Sequence, residues 1–244
     1  MITVGIDMAS QAPRTASCQL RWRLGSVEIA GLRVGLEDED LRTLLEAPSD
    51  KIGIDVPLGW PADFVEVVGR QFRGEPVPEV PLKNLTHRAT DRALGEAGWG
   101  WPLSVSTDRL AYPALRAARL LAGVDRSGAG QVVEVYPALA LRVWGLPHRR
   151  YKGARNRDAL RALIRALTGA LPTLELTDVH EAMLRSDDNA TDALVAALVA
   201  RAAAVGLCKP VPPDQTEAAH REGWIATPLP GSLDLLVGAA TPPG

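Results

Sequence analysis

An alanine-rich segment near the carboxyl end constrains the fold more than any other feature of the sequence. Residues 188–205 have helical composition and are apolar nearly all round, which is typical of a helix buried on several sides and packed against a sheet. Asp192 interrupts the segment in its second turn, too deep in the helix to cap it. The sequence therefore predicts a sheet-covering helix that carries one carboxylate into a buried position.

The rest of the chain supplies a sheet for this helix to cover. Five segments have the alternation or the β-branched content of strands: 2–7, 15–24, 26–34, 51–55 and 131–136. Further helices are expected at 37–46, 107–121 and 154–168. Three strands, a helix, a strand, an excursion, a strand and then helices indicate a mixed sheet covered by helices. This order matches the ribonuclease-H-like plan, an α/β fold with a mixed five-stranded sheet flanked by helices and with an insertion before the fifth strand.

The expected domain organisation is simple. We expect one domain over 1–240, in which 57–130 is a Pro- and Gly-rich insertion, and a loose tail over 241–244. Apolar stretches are too short for a membrane span, and the amino terminus lacks the pattern of a secretory signal. We therefore expect a cytoplasmic protein with no membrane partner, in which Cys18 and Cys208 are free, buried thiols.

Four acidic residues stand where apolar residues are expected: Asp7, Asp55, Glu134 and Asp192. A carboxylate in a core strand or buried helix carries a large desolvation cost unless something compensates it. In both GID segments a glycine lies two residues before the aspartate, so the two share one face of the strand. Gly5 and Gly53 would leave that face thin, which would allow the alanine-rich helix to bring Asp192 over Asp7 and Asp55.

Other interpretations of these acids stay open. An aspartate at a strand end often bonds to nearby backbone N–H groups, and this would explain Asp7 or Asp55 taken alone. Asp188 falls where helix caps fall, but it also lies one turn before Asp192 and could assist it. Glu134 could instead form a salt bridge with an arginine of the basic segment 142–165.

That basic segment is the main candidate for contacts with a substrate. Eight Lys and Arg residues between 142 and 165 stand against a single acid, Asp158. The segment is either a solvated helix face or a strip that faces phosphates. On the second interpretation, the substrate contacts are made by Arg149, Arg150, Lys152 and Arg155.

The insertion carries a second candidate pair, Arg88 and Asp91, in THRATDRAL. Residues three apart on a helix can form a surface ion pair, or they can position a substrate near the metal. Other chemistries lack their motifs, since the histidines show no zinc spacing and no GxSxG or GxxxxGK[ST] segment occurs.

Several short motifs in their order along the chain resemble a known family. They are GIDMA, IGIDVPLGWP, RATDRAL, VVEVYPALALR, TDALVAALVA and EGWI, and together they cover about residues 2–228. They are similar to the family catalogued as domain of unknown function 429, whose members are described as predicted nucleases of ribonuclease-H fold. NATDAL is also similar to the last acidic motif of Holliday-junction resolvases, in which two acids, or an acid and a histidine, stand three apart. Asn189 stands at the first of those places, so the resemblance leaves the number of metal ions open.

The resemblance implies a divalent-metal-dependent nuclease or phosphodiesterase that acts on nucleic acid. Its catalytic carboxylates would be Asp7, Asp55, Glu134 and Asp192, with Asp188 as a further ligand of Mg²⁺ or Mn²⁺. A net charge of −2 and Asn189 favour a different hypothesis, a binding scaffold that has lost catalysis. A nucleotide-binding phosphotransferase is the third hypothesis, although MASQAPRT lacks the glycine-rich phosphate turn such proteins place after the first strand.

Overall fold

A computed structural model describes residues 1–239. Its contacts divide the chain into two compact units. The first unit comprises Met1–Asp55, Val135–Lys209 and the residues from Ala226 onward, and the second comprises Val56–Glu134 and Pro210–Ile225. The single domain over 1–240 with an insertion at 57–130 stays a prediction. The expected loose tail at 241–244 lies outside the described residues.

The described chain forms a mixed α/β fold with a six-stranded sheet. The strands are β1 (Ile2–Asp7), β2 (Ala16–Arg23), β3 (Ser26–Val34), β4 (Lys51–Asp55), β5 (Val132–Glu134) and β6 (Leu174–Glu175). Their order in the sheet is β5-β4-β1-β2-β3-β6. Strands β1, β2 and β3 are antiparallel neighbours, whereas β4 runs parallel to β1 and β6 runs parallel to β3.

The helices of the first unit flank this sheet. They are α1 (Asp38–Glu46), α6 (Pro137–Val143), α7 (Arg157–Ala170), α8 (Asp178–Leu184) and α9 (Asp188–Ala204). The predicted basic helix corresponds to α7, which buries Leu160, Leu163, Ile164 and Leu167 on one face. The predicted alanine-rich helix corresponds to α9, in which every residue from Ala190 to Ala202 is buried.

The second unit is more helical than its sequence predicts. It contains α2 (Ala62–Arg73), α3 (Leu82–Thr86), α4 (Ala89–Glu96), α5 (Ala111–Leu120) and α10 (Thr216–Glu222). Only α5 was expected, because the other four helices are short or lie between prolines, where helical periodicity is hard to recognise.

The expected count of five strands is wrong, and the reason is length. Strand β6 has two residues, Leu174 and Glu175, which pair with Val27 and Glu28 of β3. Two residues are too few for an alternating pattern. The predicted strand 131–136 is also shorter in the structure, because Pro137 begins a helix three residues after Glu134, the last residue of β5.

Two glycines determine how closely α9 approaches the sheet. A Cβ atom on Gly5 would lie 1.9 Å from the Ala193 carbonyl oxygen, and one on Gly53 would lie 2.3 Å from the Ala196 carbonyl oxygen. Thr3, two residues before Gly5 in β1, donates a hydrogen bond to the Ala197 carbonyl at 3.0 Å. The helix backbone therefore lies directly on β1 and β4, as their glycines predict.

No helix in the described part of the chain has the length and apolarity that a bilayer crossing requires. Both cysteines are free thiols, as expected; Cys18 is buried and Cys208 is half-buried.

Candidate metal centre

Three carboxylates from three elements converge in the first unit. Asp7 and Asp55 are the last residues of β1 and β4, and they are paired directly in the parallel register, as Gly5 and Gly53 are two residues earlier. Asp192 comes from the second turn of α9, which the glycines allow to approach this face. One carboxylate oxygen from each residue lies within 4.8 Å of the other two.

Burial and mutual repulsion both act on these acids. The pKa of Asp7 is raised well above its ordinary value by burial first, and then by the charges of Asp55 and Asp192. Burial also raises the pKa of Asp192, which is 1% exposed, although Lys152 and Tyr151 partly oppose this. Two like charges about 4 Å apart repel by roughly 4 kcal/mol at an effective dielectric constant near 20, so the charged cluster favours a nearby cation.

Two consecutive residues, Tyr151 and Lys152, contact Asp192. The buried Tyr151 hydroxyl donates a 2.7 Å hydrogen bond to Asp192 Oδ1. The Lys152 ammonium lies 2.5 Å from Asp192 Oδ2 and 3.9 Å from Asp55 Oδ2. The ammonium therefore forms an ion pair with Asp192 Oδ2, and its charge partly offsets the effect of burial on the pKa of Asp192.

The donor set fits a hard divalent cation. Mg²⁺ and Mn²⁺ take oxygen ligands, and Mg²⁺ commonly uses a few carboxylates together with water and phosphate oxygens. Asp7, Asp55 and Asp192 offer such oxygens at one point. These three residues could therefore hold the ion.

Comparison with known proteins identifies the family. A family model described as "Protein of unknown function (DUF429)" matches residues 5–217. The chain belongs to the DUF429 family. No curated protein and no solved structure matches the chain significantly.

Two further acids of this DUF429 chain, Asp187 and Asp188, lie near Asp192 but outside the converging group. Asp188 is the first residue of α9 and lies outside the converging group, but its charge contributes to the raised pKa values of Asp7 and Asp192. Asp187 is the helix cap, and it accepts hydrogen bonds from the Asn189 and Ala190 backbone N–H groups. The Asn189 side chain donates to Asp187 at 3.0 Å.

Glu134 is not part of the converging group, which corrects its expected place among the metal ligands. Its two oxygens accept hydrogen bonds from the Arg88 guanidinium, both at 2.7 Å, and from the Leu58 backbone N–H at 2.9 Å. The alternative of a salt bridge is correct in kind, but the partner is Arg88 and not an arginine of the segment 142–165. Burial raises the pKa of Glu134 even though Arg88 opposes the shift.

Arg88 and Asp91 are buried, so the expectation that they touch a substrate is not supported. They are 2% and 1% exposed. All five N–H donors of Arg88 are used within the second unit: they bond to Asp91, to Glu134 and to the Glu222 carbonyl. The alternative of an ion pair is correct, but the pair is in the interior, where it begins α4.

The other predicted substrate contacts divide into two kinds. Arg149, Arg150 and Arg155 are exposed, so their role in phosphate contacts stays a prediction. Lys152 is also exposed over about half of its side chain, but its ammonium lies on the carboxylates.

Sequence reasoning missed two tyrosines. Tyr151 orients Asp192, and Tyr136 is 38% exposed with a pKa raised by burial and then by Asp55. Tyr136 stands in VVEVYPALALR, where Glu134 is the residue whose type suggests a metal ligand. Tyr151 and Lys152 directly follow Arg149 and Arg150, so the sequence indicates only a positively charged segment there.

Proposed function

We propose that this chain is a divalent-metal-dependent nuclease or phosphodiesterase that acts on nucleic acid. The observation that carries the proposal is the convergence of Asp7, Asp55 and Asp192 from two adjacent strands and a buried helix. Three carboxylates concentrated at one point are costly for the fold, and binding a divalent cation offsets that cost.

The sheet supports a ribonuclease-H-like fold for this activity. Its first five strands lie in the order β3-β2-β1-β4-β5, with the first three antiparallel and β4 parallel to β1. The order of elements in the sequence predicts a mixed sheet of this kind, and β6 is an addition at the β3 edge. Asp7 and Asp55 end β1 and β4, two adjacent strands of this order.

Each residue has a definable part in phosphodiester hydrolysis. A bound Mg²⁺ or Mn²⁺ would lower the pKa of a water molecule and neutralise charge on the phosphate. Asp7, Asp55 and Asp192 would hold the ion, and Tyr151 fixes the orientation of Asp192 through its hydroxyl. Three exposed arginines near Tyr151 and Lys152 in the sequence can pair with backbone phosphates. They are Arg149, Arg150 and Arg155. In the reaction, water adds to phosphorus, the bond to one sugar oxygen breaks, and that oxygen takes up a proton.

The direct test is cleavage of a panel of branched, single-stranded and RNA–DNA hybrid substrates with Mn²⁺ or Mg²⁺. We expect cleavage that requires the metal and falls by about two orders of magnitude or more in Asp7→Asn and in Asp192→Asn. Asp158→Asn is the matched control, because its side chain is 99% exposed on α7. Cleavage that persists in both site variants contradicts the proposal.

The position of Lys152 favours one alternative, a scaffold of the same fold that binds nucleic acid without cleaving it. An ammonium already on Asp192 and Asp55 can compensate their charge without a metal ion. This alternative predicts nucleic-acid binding that is unchanged by Asp7→Asn and by removal of metal, with no cleavage.

A further inference from the structure

We propose that the Lys152 ammonium is a built-in cation of the carboxylate cluster and takes the place of a second divalent ion, so that the site binds one metal ion. This inference rests on the proposed function and specifies its metal count. Lys152 Nζ is 2.5 Å from Asp192 Oδ2 and 3.9 Å from Asp55 Oδ2. It therefore lies against two of the three carboxylates that would hold metal.

The charges of the cluster support a count of one. When all three carboxylates are ionised, they and the one ammonium leave two negative charges, which a single divalent ion would neutralise. A second ion would have to approach the ammonium within a few ångström, and like charges at that distance repel strongly in a partly buried site. Asp188 adds a negative charge nearby but lies outside the converging oxygens.

The local structure holds Lys152 in place. The preceding residue, Tyr151, is 3% exposed and is anchored by its hydroxyl to the other oxygen of Asp192. The following residue, Gly153, has a φ of +88°, a conformation that L side chains rarely adopt. Lys152 therefore lies between the buried Tyr151 and a turn at Gly153, and these two neighbours position its backbone beside the cluster. About half of the Lys152 side chain is exposed.

Counting bound Mn²⁺ on the full chain tests the inference without measuring activity. The metal-stripped protein is titrated with Mn²⁺, and free Mn²⁺ is followed by electron paramagnetic resonance. We expect one ion in the wild type, and in Lys152→Met two ions with the first bound at least tenfold more tightly. Lys152→Arg, which keeps a cation, and Lys209→Met, which removes the same charge from an exposed position in the same unit, should bind one ion.

Thermal unfolding gives a second measurement. Without metal, Lys152→Met should melt at a lower temperature than the wild type, because the carboxylates lose their counter-ion. Saturating Mn²⁺ should then raise its melting temperature by more than it raises that of the wild type. Lys152→Gln is a second neutral variant with the same expectations, should Lys152→Met fail to fold.

Two ions in the wild type, or one ion in the folded neutral variants, overturn the inference. Two ions in the wild type leave the proposed function intact, whereas a wild-type chain that binds no Mn²⁺ contradicts both. The wild-type count therefore separates the two failures even if no neutral variant folds.

Discussion

Among single residues, Asp7 shows most directly the energetic cost of the carboxylate cluster. Its carboxylate is adjacent in register to Asp55 and converges with Asp192, and its pKa is raised by burial and by those two charges. Lys152 lies against Asp55 and Asp192. The charged form of Asp7 is therefore a cost to the folded chain when no metal is bound.

Replacing Asp7 by asparagine should remove that cost. We expect the metal-free Asp7→Asn chain to gain on the order of 1 kcal/mol, or about 2–4 °C in melting temperature for a chain of this size. We expect Mg²⁺ or Mn²⁺ to raise the melting temperature of the wild type and to leave that of this variant unchanged. Differential scanning calorimetry with and without metal measures both changes, with Asp158→Asn as the control. A metal-induced increase that survives in Asp7→Asn would show that Asp7 is not a ligand.

Among the elements, α9 and the strands under it determine where the site forms. A helix buried from Ala190 to Ala202 must rest on something, and β1 and β4 have no side chain at Gly5 and Gly53 to hold it away. Because each aspartate lies two residues beyond its glycine, the same face that admits α9 presents both carboxylates. The close packing of α9 and the proposed metal site therefore depend on one surface of the sheet.

Gly5→Ala tests this dependence. The added Cβ would lie 1.9 Å from the Ala193 oxygen and 2.3 Å from the Ala197 nitrogen, and both are backbone atoms of α9. We expect a loss of about 3 kcal/mol in the free energy of unfolding, measured by urea denaturation. Metal affinity should also weaken, because α9 must move and it carries Asp192.

Gly31→Ala is the matched control for that experiment. Gly31 also lies in a strand, but the nearest atom to its added Cβ is 3.8 Å away, on Gln19. We expect this variant to change stability by less than about 1 kcal/mol and to keep the metal affinity of the wild type. Equal effects of the two substitutions would show that the close approach of α9 is not what Gly5 provides.

For the whole molecule, the carboxylate cluster should make the free energy of unfolding fall as the pH rises, which is opposite to the effect of ion-paired surface carboxylates. Carboxylates with lowered pKa values, such as Glu28 and Asp40 beside their arginines, make the folded chain more stable as the pH rises. Asp7 and Asp192 have raised pKa values. Above the ordinary carboxyl pKa, the unfolded chain releases these protons while the folded chain retains them. Their contribution to stability is therefore lost as the pH rises toward the folded-state values.

Comparison of variants isolates this contribution from that of the other carboxylates. We expect the stability gained by Asp7→Asn, relative to the metal-free wild type, to grow as the pH rises from about 4, by at most about 1.4 kcal/mol per pH unit for one group. Saturating Mg²⁺ should lower the folded-state pKa values and reverse the trend. Urea denaturation at a series of pH values measures this difference, and a difference that does not change with pH contradicts the assignment.

The sequence by itself determined the framework of the first unit. Strands β1, β3 and β4 and the helix α9 lie where local patterns predict them, since alternation and helical periodicity act within one segment. It also predicted that α9 meets β1 and β4, because small residues occur on both sides of that contact. Gly5 and Gly53, each two residues before an aspartate, indicated that α9 could approach this face and place Asp192 beside Asp7 and Asp55.

Only the tertiary structure decided which charged side chains become partners. Glu134 resembles Asp7 in the sequence, yet it pairs with Arg88, 46 residues away, and not with the cluster. Lys152 looks like one more cation of a basic segment, yet its ammonium lies on Asp192. The physical reason is that a buried charge must be compensated by whichever opposite charge the fold brings within a few ångström. For residues in different elements, such as Glu134 and Arg88, spacing along the chain does not give that distance.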